Sequence, residues 1–155
     1  MYDVKPITTD KPTACGPACL KMLLQYYGVD VPLETLILSC NVGVAGCSMA
    51  VLTRVGRSYG LANLSSWQMS AEDMMRNDRP AIIWWRYTHY VVFCGLNEKG
   101  EPVICNPSMG RYPISREAFA RFFCGIALCN GHPYDAMNTE DYFGEKSEIP
   151  DYFHQ

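Results

Sequence analysis

The chain has 155 residues, 48% of them hydrophobic and 12% aromatic, with a net charge of −3 and a pI near 5.5. This is the length of one ordinary domain, with enough apolar residues to bury a core unaided. A basic patch or Lys/Arg run is missing, which argues against a nucleic-acid partner, and no apolar run approaches the roughly 20 residues that span a bilayer.

The first residues, "MYDVKPITTDKPT", are polar and proline-marked, without the basic and apolar regions of a signal peptide. Residues 15–27 form an apolar run that predicts a helix, with Pro17 in its first turn and Gly28 at its C-cap. Lys21 and Gln25, four apart, make a thin polar stripe, so this helix is expected to be buried on most sides. A second, shorter helix is predicted over 31–40, and a third over 48–61 with Ser48 as N-cap and Gly60 as its end. Trp67 is expected in a loop before a short fourth helix over 70–78, capped by Ser70.

The second half reads as strands. Residues 80–87, 89–97 and 101–107 are rich in β-branched and aromatic side chains, with "NEKG" as a hairpin turn between the last two. A turn and short strand follow at 108–114, then a helix over 115–123 with Ser115 as N-cap, and a buried strand over 124–129. The expected fold class is α+β: N-terminal helices packed on a C-terminal antiparallel sheet, in one domain over 1–129. Residues 130–155 are acidic, carry "DYF" twice and lack an apolar period; they are expected to form a tail or arm that can dock on this chain or on a larger complex.

Eight cysteines invite a disulfide reading, but the chain is neither small nor marked for secretion. Without a C-x-x-C pair, a zinc site has no local support, and no metal or cofactor is expected. Cys94, Cys105 and Cys129 sit in apolar runs and read as small buried hydrophobes, while Cys40 and Cys47 flank a Gly-rich turn and can pair under oxidation. Reduced thiols and a cytoplasmic setting are the expectation.

A nucleophilic thiol needs a lowered pKa, which a helix N-terminus favours through its unpaired N–H groups. Cys15 sits at such a terminus and Cys19 one turn inside, so Cys15 is the candidate, with Gly16 beside it leaving room for a substrate backbone. Of three histidines, His132 and His154 lie in the polar C-terminal segment, and His89 opens a strand from whose end it can reach a helix N-terminus. Asn106, at the end of the neighbouring strand, can accept an Nδ1–H from His89 and orient the ring, although Asn-Pro is also an ordinary turn start. Trp85 and Tyr87 alternate with His89 and, with Trp67, are candidate cleft walls, against the simpler reading of aromatic core packing.

"ACGPACLKMLLQYYG", "HYVVFCG" and "NPSMGRYPIS" followed by "FARFFCGIAL" together resemble the papain-like bacteriocin-processing cysteine peptidases, the double-glycine leader peptidase domains of certain ABC exporters. The resemblance runs over roughly residues 7–129 and includes "GCSMAVLTRVGRSYGL", similar to that family's middle helix. It implies a papain-like fold, with Cys15 as nucleophile, His89 as general base and Asn106 as orienting residue, acting on a peptide or protein substrate with a Gly-Gly cleavage site. This chain departs from the family's pattern twice: Asn106 replaces the usual aspartate, and Thr9 stands six residues before Cys15, where the family carries an oxyanion-hole glutamine. Thr9, or Thr8 beside it, is the candidate substitute. Loss of one oxyanion donor typically costs about 10²–10³ in rate. The alternative expectation is therefore a weak or inactive peptidase-like binding module or assembly accessory.

Overall fold

In the computed structural model, which describes residues 1–43, 46–133 and 137–138, the apolar run after a 3₁₀ turn at Pro12–Ala14 becomes helix α1, Cys15–Tyr26. Nine of its twelve residues are buried, and Gly28 closes it in the left-handed conformation, with φ +87°. The polar stripe anchors a loop. Lys21 Nζ and Gln25 Nε2 both bond Asp30 Oδ1 at 3.2 Å, tying down the segment that leads into α2, Leu33–Ser39. Helix α3, Met49–Ser58, starts as expected at Ser48, whose hydroxyl accepts the N–H of Val51.

A strand that the sequence did not announce comes next. Trp67, expected in a loop, lies in β1, Leu64–Gln68. Helix α4, Ala71–Met75, follows, then β2, Ala81–Trp85; β3, His89–Leu96; β4, Pro102–Asn106; β5, Gly110–Pro113; α5, Arg116–Phe122; and β6, Phe123–Asn130. The serines at 70 and 115 cap α4 and α5 through their hydroxyls. A two-residue strand β7, Met137–Asn138, completes a seven-stranded antiparallel sheet in the order β5-β4-β3-β2-β6-β1-β7. The opening of the acidic segment thus pairs with β1 of its own chain; residues 134–136 and 139–155, which hold both "DYF" copies, lie outside the described residues.

The sheet is covered on both faces. One face carries α1 and α3, where Leu20, Leu24, Leu52, Trp84, Tyr90 and Val92 pack together. On the other face Trp85, Val91, Phe93 and Ile104 meet Met74 of α4 and Phe119 of α5. Alternation along the strands divides these sets: Trp84 faces one core and Trp85 the other. All eight cysteines are free thiols. Cys94, Cys105 and Cys129 are buried, and Cys40 and Cys47 share a hydrogen bond instead of a disulfide.

Phe119 is the keystone of the second core. It is fully buried, and its ring lies 5.5 Å from Trp85, 5.7 Å from Phe93 and 5.6 Å from Phe123. Phe119→Ala is expected to destabilise the protein by about 3–5 kcal/mol through the cavity it leaves, measured as a lower urea midpoint at unchanged m-value.

Candidate functional site

The site forms where the N-terminus of α1 meets the first residues of β3. Cys15 is 1% exposed, and its sulfur takes a hydrogen bond from the backbone N–H of Tyr90, the residue after His89. The helix thus delivers the thiol to the start of the strand that carries the imidazole. His89 and Asn106 lie on the sheet face of the second core, on adjacent strands, with His89 Nε2 2.8 Å from Asn106 Oδ1. This corrects the expected ring atom: it is Nε2, not Nδ1, that meets the amide.

The surrounding bonds fix the tautomer. The backbone N–H of Ser108 donates to Asn106 Oδ1 at 2.9 Å, and an N–H can only donate. Turning the amide would set its NH₂ against that N–H, so the oxygen must point there. The same oxygen faces His89, so Nε2 carries the ring proton and donates it. Nδ1 is left with its lone pair, as a general base requires.

A cavity of about 690 Å³ opens beside this pair, lined among others by Thr13, Trp85, Arg86, His89, Asn106, Ser108, Met109 and Tyr112. Trp85 forms part of its wall, because it is the cross-strand partner of His89 and shares its face. Tyr87 does not extend the strand. Arg86 and Tyr87 have φ of 56° and 60°, and Thr88 N bonds Trp85 O at 3.2 Å, so the chain reverses there in a tight turn. Tyr87 stands 60% exposed at its tip, while Arg86, stacked 4.5 Å from the Phe122 ring, lines the cavity.

Trp67, Gly16, Thr8 and Thr9 do not line this cavity. Trp67 lies on β1, separated from β3 by β6 and β2, and packs on the His132 ring at 4.4 Å; its bulk serves the second core and not this cavity. At Gly16, an added Cβ would lie 3.4 Å from Leu52 and Tyr90, at van der Waals contact, so the residue faces the packing of α1 on α3 and β3. Thr8 and Thr9 line a second cavity of about 550 Å³ with Lys11, Glu34 and Ser108. Thr9 Oγ1 accepts the N–H of Lys11 at 3.2 Å, and its backbone N–H bonds Pro107 O at 2.8 Å. The N-terminal segment is thereby fastened to the Asn106–Pro107 turn, with the threonine hydroxyl engaged in its own local turn.

Electrostatics at the site also depart from expectation. Burial pushes the Cys15 thiol up to about 11, outweighing the N–H groups of Tyr90 and Gly16 that favour the thiolate. Burial also holds His89 below its usual 6.5, against the opposing pull of the Asn106 hydrogen bond. Both groups are therefore neutral near pH 7. Among the described residues, no cluster of His, Cys, Asp or Glu is placed to hold a metal ion, and no helix is long and apolar enough to cross a membrane.

Sequence reasoning missed Ser108 and Tyr112. The diagonal placement of Tyr112 relative to Asn106 follows only from the β4–β5 register, in which Asn106 pairs with Gly110 and Ile104 with Tyr112.

The chain is 27% identical over 124 residues to the probable microcin-H47 secretion/processing ATP-binding protein MchF of Escherichia coli, covering 79% of this chain and 18% of that protein. It therefore spans less than a fifth of that relative's length. An uncharacterized protein of Methanothermobacter thermautotrophicus is 28% identical over 122 residues, an alignment covering 79% of this chain and 84% of its own. Among solved structures, the double glycine motif protease from the AMS/PCAT transporter, crystallised with its leader peptide, superimposes with a TM-score of 0.75 at 32% identity, over 82% of this chain and 90% of that one. The peptidase domain of Streptococcus ComA shares the fold, with a TM-score of 0.69 at 18% identity, over 81% and 96% of the two chains. The fold is that of the papain-like peptidase domains. The family model for Peptidase C39 matches residues 3–132, and the chain belongs to the Peptidase C39 family of cysteine peptidases.

Proposed function

We propose that this chain hydrolyses peptide bonds with Cys15 as nucleophile, His89 as general base and acid, and Asn106 as the residue that orients the imidazole. The observation that carries this reading is the fixed Nε2–H tautomer of His89, whose basic Nδ1 belongs to a ring set on the strand that also bonds the Cys15 sulfur. Attack of Sγ on the carbonyl carbon forms the S–C bond as the thiol proton passes to Nδ1. The imidazolium then gives that proton to the departing amine as the C–N bond breaks, leaving a thioester on Cys15. Water, deprotonated by the same Nδ1, releases the acid and restores the thiol. The backbone N–H of Cys15, at the helix N-terminus, is the proposed oxyanion donor from the main chain.

The substrate class that fits is a peptide carrying a double-glycine site. Its support is the likeness to the AMS/PCAT protease and the narrow setting of a thiol that is 1% exposed, which only a residue with little side chain can approach. Eight free thiols support work in a reducing compartment such as the cytoplasm. A docking role for the acidic segment 130–155 takes its support from Met137–Asn138, which pair with β1 at the edge of the sheet.

A second reading, a peptidase-like domain that binds but scarcely cleaves, is favoured by one observation: at the sequence position where the resembling family carries its oxyanion glutamine, six residues before Cys15, this chain has Thr9, whose shorter side chain offers a single O–H donor. The two readings separate by mutation. Under the peptidase reading, Thr9→Gln raises kcat, by up to about 10²-fold; under the binding reading it leaves turnover absent.

Cleavage of a peptide library containing Gly-Gly sites is expected for the full chain, abolished by Cys15→Ala and lowered about 10²–10⁴-fold by His89→Ala. Unchanged cleavage in either variant removes the assignment.

The pH profile follows from the two neutral groups. The productive form holds one proton between them, on the thiol. kcat/KM should therefore rise as His89 loses its proton, with an apparent pKa below 6.5, and fall only as the Cys15 thiol ionises near 11. A descending limb between pH 8 and 9 would instead indicate a preformed thiolate–imidazolium pair.

A further inference from the structure

We infer that Tyr112 is a positioning residue for the reaction, acting through Asn106. This inference rests on the peptidase reading only for its kinetic consequence; its structural content stands on the hydrogen bonds alone.

Asn106 is 6% exposed, so each polar atom of its side chain must find a partner inside the protein. Its oxygen has two, the Ser108 N–H at 2.9 Å and His89 Nε2 at 2.8 Å. Its nitrogen donates to the Tyr112 hydroxyl at 3.1 Å. The register explains the reach. Gly110 is the cross-strand partner of Asn106 and presents no side chain, so the ring of Tyr112, two residues further along β5, can lie across the gap. An amide has two unlike ends of nearly the same shape. The Ser108 N–H, which can only donate, selects the oxygen end, and the Tyr112 hydroxyl, accepting from the nitrogen, satisfies the other end and restrains the amide from turning, so the oxygen stays on His89.

The usual aspartate of the resembling family would not need this, because its two carboxylate oxygens are equivalent. Tyr112 thus restrains the amide that asparagine brings to this position. A tyrosine hydroxyl serves either partner, accepting from an amide or donating to a carboxylate.

The test is ¹⁵N NMR of the His89 ring at pH 8 in the full chain, combined with kinetics. The wild-type protein should show the Nε2–H tautomer. Tyr112→Phe should add a measurable Nδ1–H population and lower kcat about 3- to 10-fold at unchanged KM. In the Asn106→Asp background, Tyr112→Phe should leave the tautomer as it was. A residue that only supported the fold would act alike in both backgrounds, and that result overturns the inference, as does an unshifted tautomer in Tyr112→Phe alone. A measurement without any variant guards against misfolding: the Asn106 side-chain N–H facing Tyr112 should exchange with solvent about tenfold more slowly than a free amide, and absence of this protection also overturns the inference. If the wild-type chain cleaves no peptide, the tautomer and exchange results still decide the role of Tyr112, while the missing turnover counts against the peptidase reading alone.

Discussion

The site depends on one backbone N–H. Ser108, in the turn after β4, donates to Asn106 Oδ1, and because that group cannot accept, it sets the direction of every bond behind it. The amide oxygen faces His89, His89 carries its proton on Nε2, and Nδ1 is left basic. The turn is in its place because Thr9 of the N-terminal segment bonds Pro107 O and because every residue of β4 is buried. Sheet, turn and amide form one chain of constraint that ends at a single ring nitrogen.

Burial opposes this preparation. The same packing that brings Cys15 onto the N–H of Tyr90 removes it from water and raises its pKa to about 11, and it keeps His89 neutral as well. Ion pairs removed from water need close compensation, and a neutral asparagine supplies less than an aspartate would. On the proposed reading, such a neutral pair would pass the thiol proton during attack, not store a thiolate.

Much of the fold was legible in the sequence because local signals and tertiary structure agreed. Ser48, Ser70 and Ser115 cap the helices that follow them, and the apolar runs after Pro80 became strands at nearly the expected bounds. Strand β1 was not legible for a definite reason. Leu64 and Trp67, its two buried residues, are three apart and serve opposite cores, so "LSSWQ" shows neither a period of two nor a continuous apolar run. Its strand character comes from pairing with β6, at the far end of the domain in sequence. Of the candidate site, the sequence singled out Cys15, His89 and Asn106, and the structure sets His89 against Asn106. Which ring nitrogen meets the amide, how far the thiol is buried, and the part of Tyr112 were not legible. Those depend on strand register and on packing from both faces. Gly16 and Trp67 show the converse: a small residue and an aromatic near a candidate site both proved to serve the core.

The central claim is that Cys15 forms a covalent acyl intermediate with the help of His89. Intact-protein mass spectrometry after rapid acid quench, with a Gly-Gly peptide thioester as substrate, tests it directly. The expected result is a mass increase equal to the acyl portion, mapped to Cys15, formed by the wild-type chain and not by His89→Ala. Acylation spread over several cysteines, or equal acylation of Cys15 in His89→Ala, would contradict it.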